Sequence, residues 1–308
     1  MKLLVVGTVA FDAIETPFGK TDRIIGGAAP YIGLAASYFS RGIGIVSAVG
    51  GDFPVEYINL LNEHGLDTGG LEIREDEKSF FWSGKYDTDM NTRETLDTRL
   101  NVIENYHPVV PESYRESEYL ILGNLSPEIQ IAVIEQMKTR PRLIVLDTMN
   151  FWIANTPTSL KKVIGMVDVL AINDSEAREL SGDYSLPRAA KKILSMGPKF
   201  LIIKKGENGA LLFGNNKVFF APALPLEEVF DPTGAGDTFA GGFTGYLAST
   251  GDVSFENMKS AIIAGAAMAS FCVEKFGTEN LVNLDSAIIN QRINQFSELV
   301  RFEHRFID

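Results

Sequence analysis

Short apolar runs that alternate with helix-patterned stretches constrain this chain more than any other feature. Lys2–Gly7 (KLLVVG), Ile43–Val49 (IGIVSAV), Tyr119–Leu122 (YLIL), Leu143–Leu146 (LIVL), Val169–Ile172 (VLAI) and Phe200–Lys204 (FLIIK) are almost continuously apolar. A strand with that pattern needs cover on both faces. Ala29–Ser40, Val55–Glu63, Pro127–Lys138, Ser159–Met166, Ser175–Leu180 and Leu186–Met196 have helical spacing and can supply it. Ser126-Pro127-Glu128 reads as a helix cap followed by proline in the first turn. The alternation predicts an α/β fold, a mostly parallel central sheet between two helical layers. From Asp237 onward the pattern turns largely helical, over Thr238–Ser249, Phe255–Glu274 and Ser286–Val300.

Two stretches break the alternation. Asp12–Ile25 alternates about a turn at Phe18-Gly19-Lys20, and Leu71–Leu100 is polar, charged and rich in threonine and aromatics. Both fit antiparallel hairpins with one solvated face. Together they predict a small β-lid (residues 12–25 and 71–100) mounted on an α/β body (residues 1–11, 26–70 and 101–308). Phe80-Phe81-Trp82 would be stranded in water on a free loop, so core packing is the expectation for Phe81 and Trp82, with stacking on a base as the other reading. Arg93 and Arg99 read as solvated lid charges, with contact to a polar substrate as the alternative.

Composition narrows the function. Among 308 residues, 28 Lys+Arg stand against 40 Asp+Glu, a net charge of −12, which argues against nucleic acid or an anionic membrane as partner. The single cysteine, Cys272, excludes an internal disulfide, and with only His64, His107 and His304 beside it a Cys/His zinc site is not expected. The apolar run Leu3–Phe11 is too short to span a bilayer and lacks a secretory signal's basic start and cleavage pattern. A cytoplasmic location is the expectation.

The chemistry concentrates in Val229–Phe243, VFDPTGAGDTFAGGF. A turn of small residues, Asp231 to Gly236, runs straight into an apolar helix. Backbone N–H groups can converge there, and the helix start adds partial positive charge, which together suit a phosphate. Asp237 in the first turn would repel that phosphate. It makes sense as a base that takes a proton from an incoming hydroxyl while those N–H groups stabilise the transferred phosphoryl group. The plainer alternative is an aspartate that favours the helix dipole beside glycines that turn the chain. No Gly-x-x-x-x-Gly-Lys-Ser/Thr occurs, and Phe239 stands where a dinucleotide fingerprint from Gly234 needs glycine, so P-loop and nicotinamide readings lack their motifs.

The string DPTGAGDTFAGGF resembles the second signature of the ribokinase-like (PfkB) family of carbohydrate and nucleoside kinases. Gly26-Gly27-Ala28-Ala29, with Ile45–Asp52 after it, resembles the first. The resemblance runs in order along essentially the whole chain. It implies a three-layer ribokinase-like body with a β-lid, and ATP-dependent phosphorylation of a primary hydroxyl on a sugar, with a nucleoside as the alternative acceptor. A sensor that binds nucleotide without catalysis would be expected to have lost Asp237, Asn173 or Glu176, and all three stand. By the same resemblance Asp237 is the base, and Gly234, Ala235 and Gly236 form the anion hole.

Further roles follow from the resemblance. Asn173 and Glu176 match an Asn-x-x-Glu motif that implies phosphate contact and a hydrated Mg²⁺, although Asn173 with Glu176 three residues on also describes a helix capping box. Lys205-Gly206-Glu207-Asn208-Gly209 resembles the nucleotide-binding turn, with Lys205, Gly206 and Gly209 facing ATP, and also reads as a hairpin turn. Thr233 joins the nucleotide contacts. Asp231, with the segment near Gly277, matches a monovalent-cation site that K⁺ would fill. On the substrate side stand Asp12, Gly26, Gly27 and Asn124. Tyr31 occupies a position where many sugar kinases of the family carry an asparagine, which leaves base stacking or packing beneath the lid as its two readings. Lids in relatives often pair across a two-fold axis, so a homodimer is expected by analogy.

Overall fold

A computed structural model describes residues 1–301 and 303; His304 lies outside them. Among the described residues nine strands form the main sheet, in the order Lys217–Ala221, Ala210–Gly214, Phe200–Lys204, Val169–Asn173, Leu143–Asp147, Tyr119–Leu122, Leu3–Val6, Ile43–Gly50, Leu66–Arg74. The two ladders at the Lys217 end are antiparallel and the rest are parallel.

Successive residues in the central strands enter different cores, which is why these runs are apolar throughout. Leu3, Val5, Tyr119, Ile121, Leu143, Val145, Val169 and Ala171 pack with helices Ala28–Ser37, Ala235–Thr250 and Phe255–Cys272. Leu4, Val6, Leu120, Leu122, Ile144, Leu146, Leu170 and Ile172 pack with helices Pro127–Gln136, Pro157–Ile164 and Leu186–Leu194. The result is the three-layer α/β arrangement expected. Helix Ala235–Thr250 is drawn close to helix Ala28–Ser37 because Gly241 and Gly245 carry no Cβ: one on Gly241 would overlap the Ile32 carbonyl, and one on Gly245 would stand 2.7 Å from Ala36 Cα.

The smaller sheet contains both expected lid pieces. Ala10–Thr16 pairs antiparallel with Gly19–Lys20 and Ile24–Gly26, and parallel with Phe80–Tyr86, which pairs antiparallel with Arg93–Arg99. Two hairpins are thus joined by one parallel ladder. Phe81 is half-buried against the first core and Phe80 against the second.

The boundaries move at both ends of the lid. Ala10, Phe11 and Gly26 belong to lid strands. Residues 71–74 belong to the body, because Leu66–Arg74 pairs with Ile43–Gly50 as far as Gly50↔Arg74. As the outermost strand, half solvated, it carries no continuous apolar run. Among the described residues no helix is long and apolar enough to cross a membrane.

Candidate active site

Three parallel strands end in a polar residue at the same edge of the sheet: Leu143–Asp147, Val169–Asn173 and Phe200–Lys204. In open α/β sheets this carboxyl edge is where ligands bind. Asn173 lies between the other two, in register with Lys204. Lys204 reaches over it to Asp147, Nζ donating to Oδ2 at 3.0 Å.

Helix Ala235–Thr250 points its N-terminus at this edge. Its cap is Gly234 at φ +73°, a left-handed conformation that glycine adopts without strain, and the Tyr31 ring fills the space where a Cβ would stand, 2.5 Å away. The Ala235 amide donates to the Pro232 carbonyl at 3.2 Å. The amides of Gly236 and Asp237 follow in the first turn, where a helix offers its N–H groups no acceptor. Ala235, expected in the anion hole, thus has its amide taken inside the turn, which leaves the Gly236 and Asp237 amides at the helix mouth.

Asp237 sits among them, partly exposed to the cleft. Burial of its carboxyl and the nearby Asp147 carboxylate push its pKa up to about 7, against the opposing pull of Lys204 and Arg93. Glu176 is also pushed up to about 7, by burial first and then by Asp147, with Lys204 again opposing. Burial works against the Lys204 ammonium, yet Asp147, Glu176 and Asp237 more than offset it and hold its pKa above the ordinary value. A carboxyl that titrates near neutrality beside unpaired amides can take a proton from a hydroxyl at physiological pH.

Asn173 and Glu176 form a complete capping box. Asn173 Oδ1 accepts from the Glu176 amide at 2.8 Å, and Glu176 Oε2 accepts from the Asn173 amide at 2.8 Å. Local structure thus accounts for both letters; Glu176 Oε1 takes no part in the box, and the carboxyl feels the charges of Asp147 and Lys204. Among the described residues, no three or more His, Cys, Asp or Glu side chains gather into a metal cage. A lone carboxylate oxygen at a phosphate site is compatible with Mg²⁺, which keeps waters and takes one or two carboxylates plus phosphate oxygens.

Asp12 reaches the same cleft from the lid. It is 4 % exposed. Burial and Asp231 push its pKa up to about 7, while an N–H from Gly27 opposes the shift. The glycines expected to admit substrate turn out to serve this carboxyl. A Cβ on Gly26 would overlap it, and Gly27, at φ +84°, has the Thr8 carbonyl where a side chain would go.

Other expected contacts are engaged elsewhere. Tyr31 is 1 % exposed and props Gly234, so its ring offers no stacking face; packing wins over base recognition. Asn124 is clamped in a body loop, Oδ1 accepting from Trp152 Nε1 at 2.9 Å and Nδ2 donating to Met149 Sδ at 3.1 Å. Asp231 accepts from the amides of Thr233 and Gly277, each at 2.9 Å, and so brackets two loops together. Thr233 is tied to the lid, its hydroxyl donating to Tyr86 Oη at 3.1 Å.

Lys205–Gly209 forms the hairpin turn, the Lys205 amide donating to the Gly209 carbonyl at 2.8 Å, and Gly209 is a glycine because a Cβ would overlap the Ala221 carbonyl. The lid tip reaches this turn: Asn91 Oδ1 lies 2.6 Å from where a Cβ on Gly206 would stand. Arg93 is less idle than a solvated charge. It lies over the Trp82 ring at 5.1 Å, and its charge is felt at Asp12, Glu176 and Asp237.

Sequence reasoning missed Asp147, Lys204 and Tyr86. The first two left a signal, a charged residue closing an otherwise apolar strand (LIVLD, FLIIK). Tyr86 left none, since its partner is 147 residues away.

Comparison with known proteins gives the fold and the family. A cytidine kinase from Thermococcus kodakarensis is 28% identical over 247 residues, 79% of this chain and 87% of its own length. A nucleoside kinase from Methanothermobacter thermautotrophicus is 27% identical over 290 residues, 90% of this chain and 91% of its own. The crystal structure of Methanocaldococcus jannaschii nucleoside kinase, an archaeal member of the ribokinase family, superposes with a TM-score of 0.77 at 21% identity, covering 96% of this chain and 99% of that one. That likeness identifies the three-layer body and lid as a ribokinase fold. The model of the pfkB family carbohydrate kinases matches residues 2–284, and the chain belongs to that family of phosphotransferases.

Proposed function

We propose that the chain transfers the γ-phosphoryl group of ATP to the primary hydroxyl of a nucleoside. The observation that carries the reaction is Asp237, raised to about 7 beside the free amides at the mouth of helix Ala235–Thr250. The carboxylate takes the hydroxyl proton, the oxygen attacks the γ-phosphorus, and the Gly236 and Asp237 amides donate to the phosphoryl oxygens. Asp12 accepts from two neighbouring ribose hydroxyls. The Thr233–Tyr86 hydrogen bond holds the lid over the cleft and keeps out water that would otherwise take the phosphoryl group. Glu176 would hold Mg²⁺ through water, and the ion would neutralise phosphate charge there. A monovalent cation such as K⁺ would share the Asp231 oxygens with the Thr233 and Gly277 amides.

Two observations favour a nucleoside over the free sugar expected first. Tyr31 packs under Gly234 where many sugar kinases of the family carry an asparagine, its hydroxyl buried without a hydrogen-bond partner. The cytidine and nucleoside kinases above are 27–28% identical over most of both chains, against 23% for a ribokinase that aligns equally far. ATP consumption measured with cytidine, adenosine, inosine, pentoses, hexoses and inositols, in sodium and in potassium salts, tests this. Nucleosides are expected to exceed every free sugar by about tenfold or more in kcat/KM, about the worth of one further hydrogen bond or apolar contact. A free sugar turning over best removes the nucleoside assignment, and equal rates in the two salts remove the cation.

We also propose that the lid mediates a homodimer. Arg93–Arg99 is the open edge of the small sheet and leaves Leu96 50% exposed. Light scattering is expected to give twice the chain mass, and a monomer at assay concentration would refute it.

A further inference from the structure

Four elements deliver charged side chains to the helix mouth, and one of these charges is a cation that the reaction above leaves idle. Lys204 and Asp147 pair with only 16% and 8% of their side chains exposed. An ion pair this deep gains little stability over an apolar pair of similar volume. An apolar pair would suit strands whose preceding residues are already buried.

The lysine also continues past its partner. It runs beside Gly236, where a Cβ would stand 3.0 Å from Nζ and 3.8 Å from Cε. Glycine at 236 therefore leaves an ammonium room against the first-turn amides. Glu176 and Asp237 act on the same ammonium from their two helices.

We infer that Lys204, aimed by Asp147, is a catalytic residue that contacts the transferred phosphoryl group and stabilises the charge on its oxygens. The inference rests on the kinase reading and deepens it. The hydroxyl proton passes to Asp237, the acceptor oxygen–phosphorus bond forms, and the bond from phosphorus to the bridging oxygen breaks with its electron pair leaving on ADP. An ammonium has three N–H donors. One is held by Asp147 Oδ2, whose sister oxygen accepts from the Thr148 amide at 2.9 Å, and two remain for phosphoryl oxygens. Asp147 is the positioning residue. Arg93, the other nearby cation, is carried by the exposed lid strand, whereas Lys204 is fixed to the sheet.

The test is calorimetric binding of Mg-ADP with and without aluminium fluoride, a planar stand-in for the phosphoryl group in flight, alongside steady-state kinetics. Lys204→Met is expected to leave ADP affinity within about threefold. It should weaken the ADP–aluminium fluoride complex and kcat about 10²–10³-fold, the usual loss for one charge-stabilising donor, with acceptor KM nearly unchanged. Lys204→Arg should restore part of both. Asp147→Asn should lose about tenfold alone and nothing further in the Lys204→Met background.

If Lys204→Met fails to fold around an unpaired carboxylate, the double variant Lys204→Met/Asp147→Asn carries the same readout. Equal loss of ADP and ADP–aluminium fluoride affinity, or an unchanged kcat in folded protein, overturns the role of Lys204. A wild-type protein that binds no ADP overturns the kinase reading instead.

Discussion

Replacing Asp237 by asparagine is expected to lower kcat about 10²–10⁴-fold while ADP still binds, the range lost when a positioned general base is removed. The amide keeps the volume of the carboxyl and leaves the first-turn N–H groups in place, so the loss falls on proton transfer rather than on the phosphate site. The wild-type pH profile should carry the same signature. The base is active when deprotonated, and its pKa is raised by burial and by Asp147 to about 7, so kcat/KM should climb as pH rises through 7 and level off above it.

Stability runs the other way. A carboxyl whose folded pKa lies above its unfolded value of 3.8 binds its proton more tightly when folded, so its contribution to stability declines as pH rises from about 4 through 7. Asp237→Asn removes that penalty, and its Tm at pH 8 should equal or exceed that of the wild type. Retained turnover, or a kcat/KM profile flat between pH 6 and 8, would eliminate Asp237 as the base.

The sequence made legible those features whose physical cause is local. Continuous apolar runs reveal strands covered on both faces because each residue in the run must be apolar wherever it points. The turn at Gly234 is legible because small residues ahead of an apolar helix have few other uses. Leu66–Arg74 was hidden for the opposite reason: half solvated, with Gly69 and Gly70 inside it and a register shift opposite Gly44, it has neither period.

Side-chain partnerships across the sheet were harder to read. Lys204 and Asp147 are 57 residues apart and meet only because the strand order places one strand between theirs. Gly26 and Gly27 were legible as a close approach, but what approaches is the Asp12 carboxyl at Gly26 and the Thr8 carbonyl at Gly27. Tyr31 was visible as a departure from a motif, yet its role depends on the Gly234 conformation that it supports.

Asp12→Ala is the second large effect expected, a loss of about 10²–10⁴-fold in kcat/KM carried mostly by the acceptor KM. Two hydrogen bonds to a charged group, each worth about 1.5–3 kcal/mol, set that range. The carboxyl is held where it is by what surrounds it: Gly26 without a Cβ, the Gly27 N–H, and Arg93 above Trp82. Gly26→Ala should therefore reproduce the kinetic loss with Asp12 still present, since the new methyl displaces the carboxyl, and should also lower Tm. Asp12→Ala leaves only a small void and removes a buried acid pushed up to about 7, so its Tm should hold at neutral pH and above. The pair separates binding from folding. If both variants lose Tm and neither raises KM, Asp12 is a structural acid of the lid hinge. If KM rises in both and Tm falls only in Gly26→Ala, Gly26 exists to seat a carboxylate that grips the acceptor's hydroxyls.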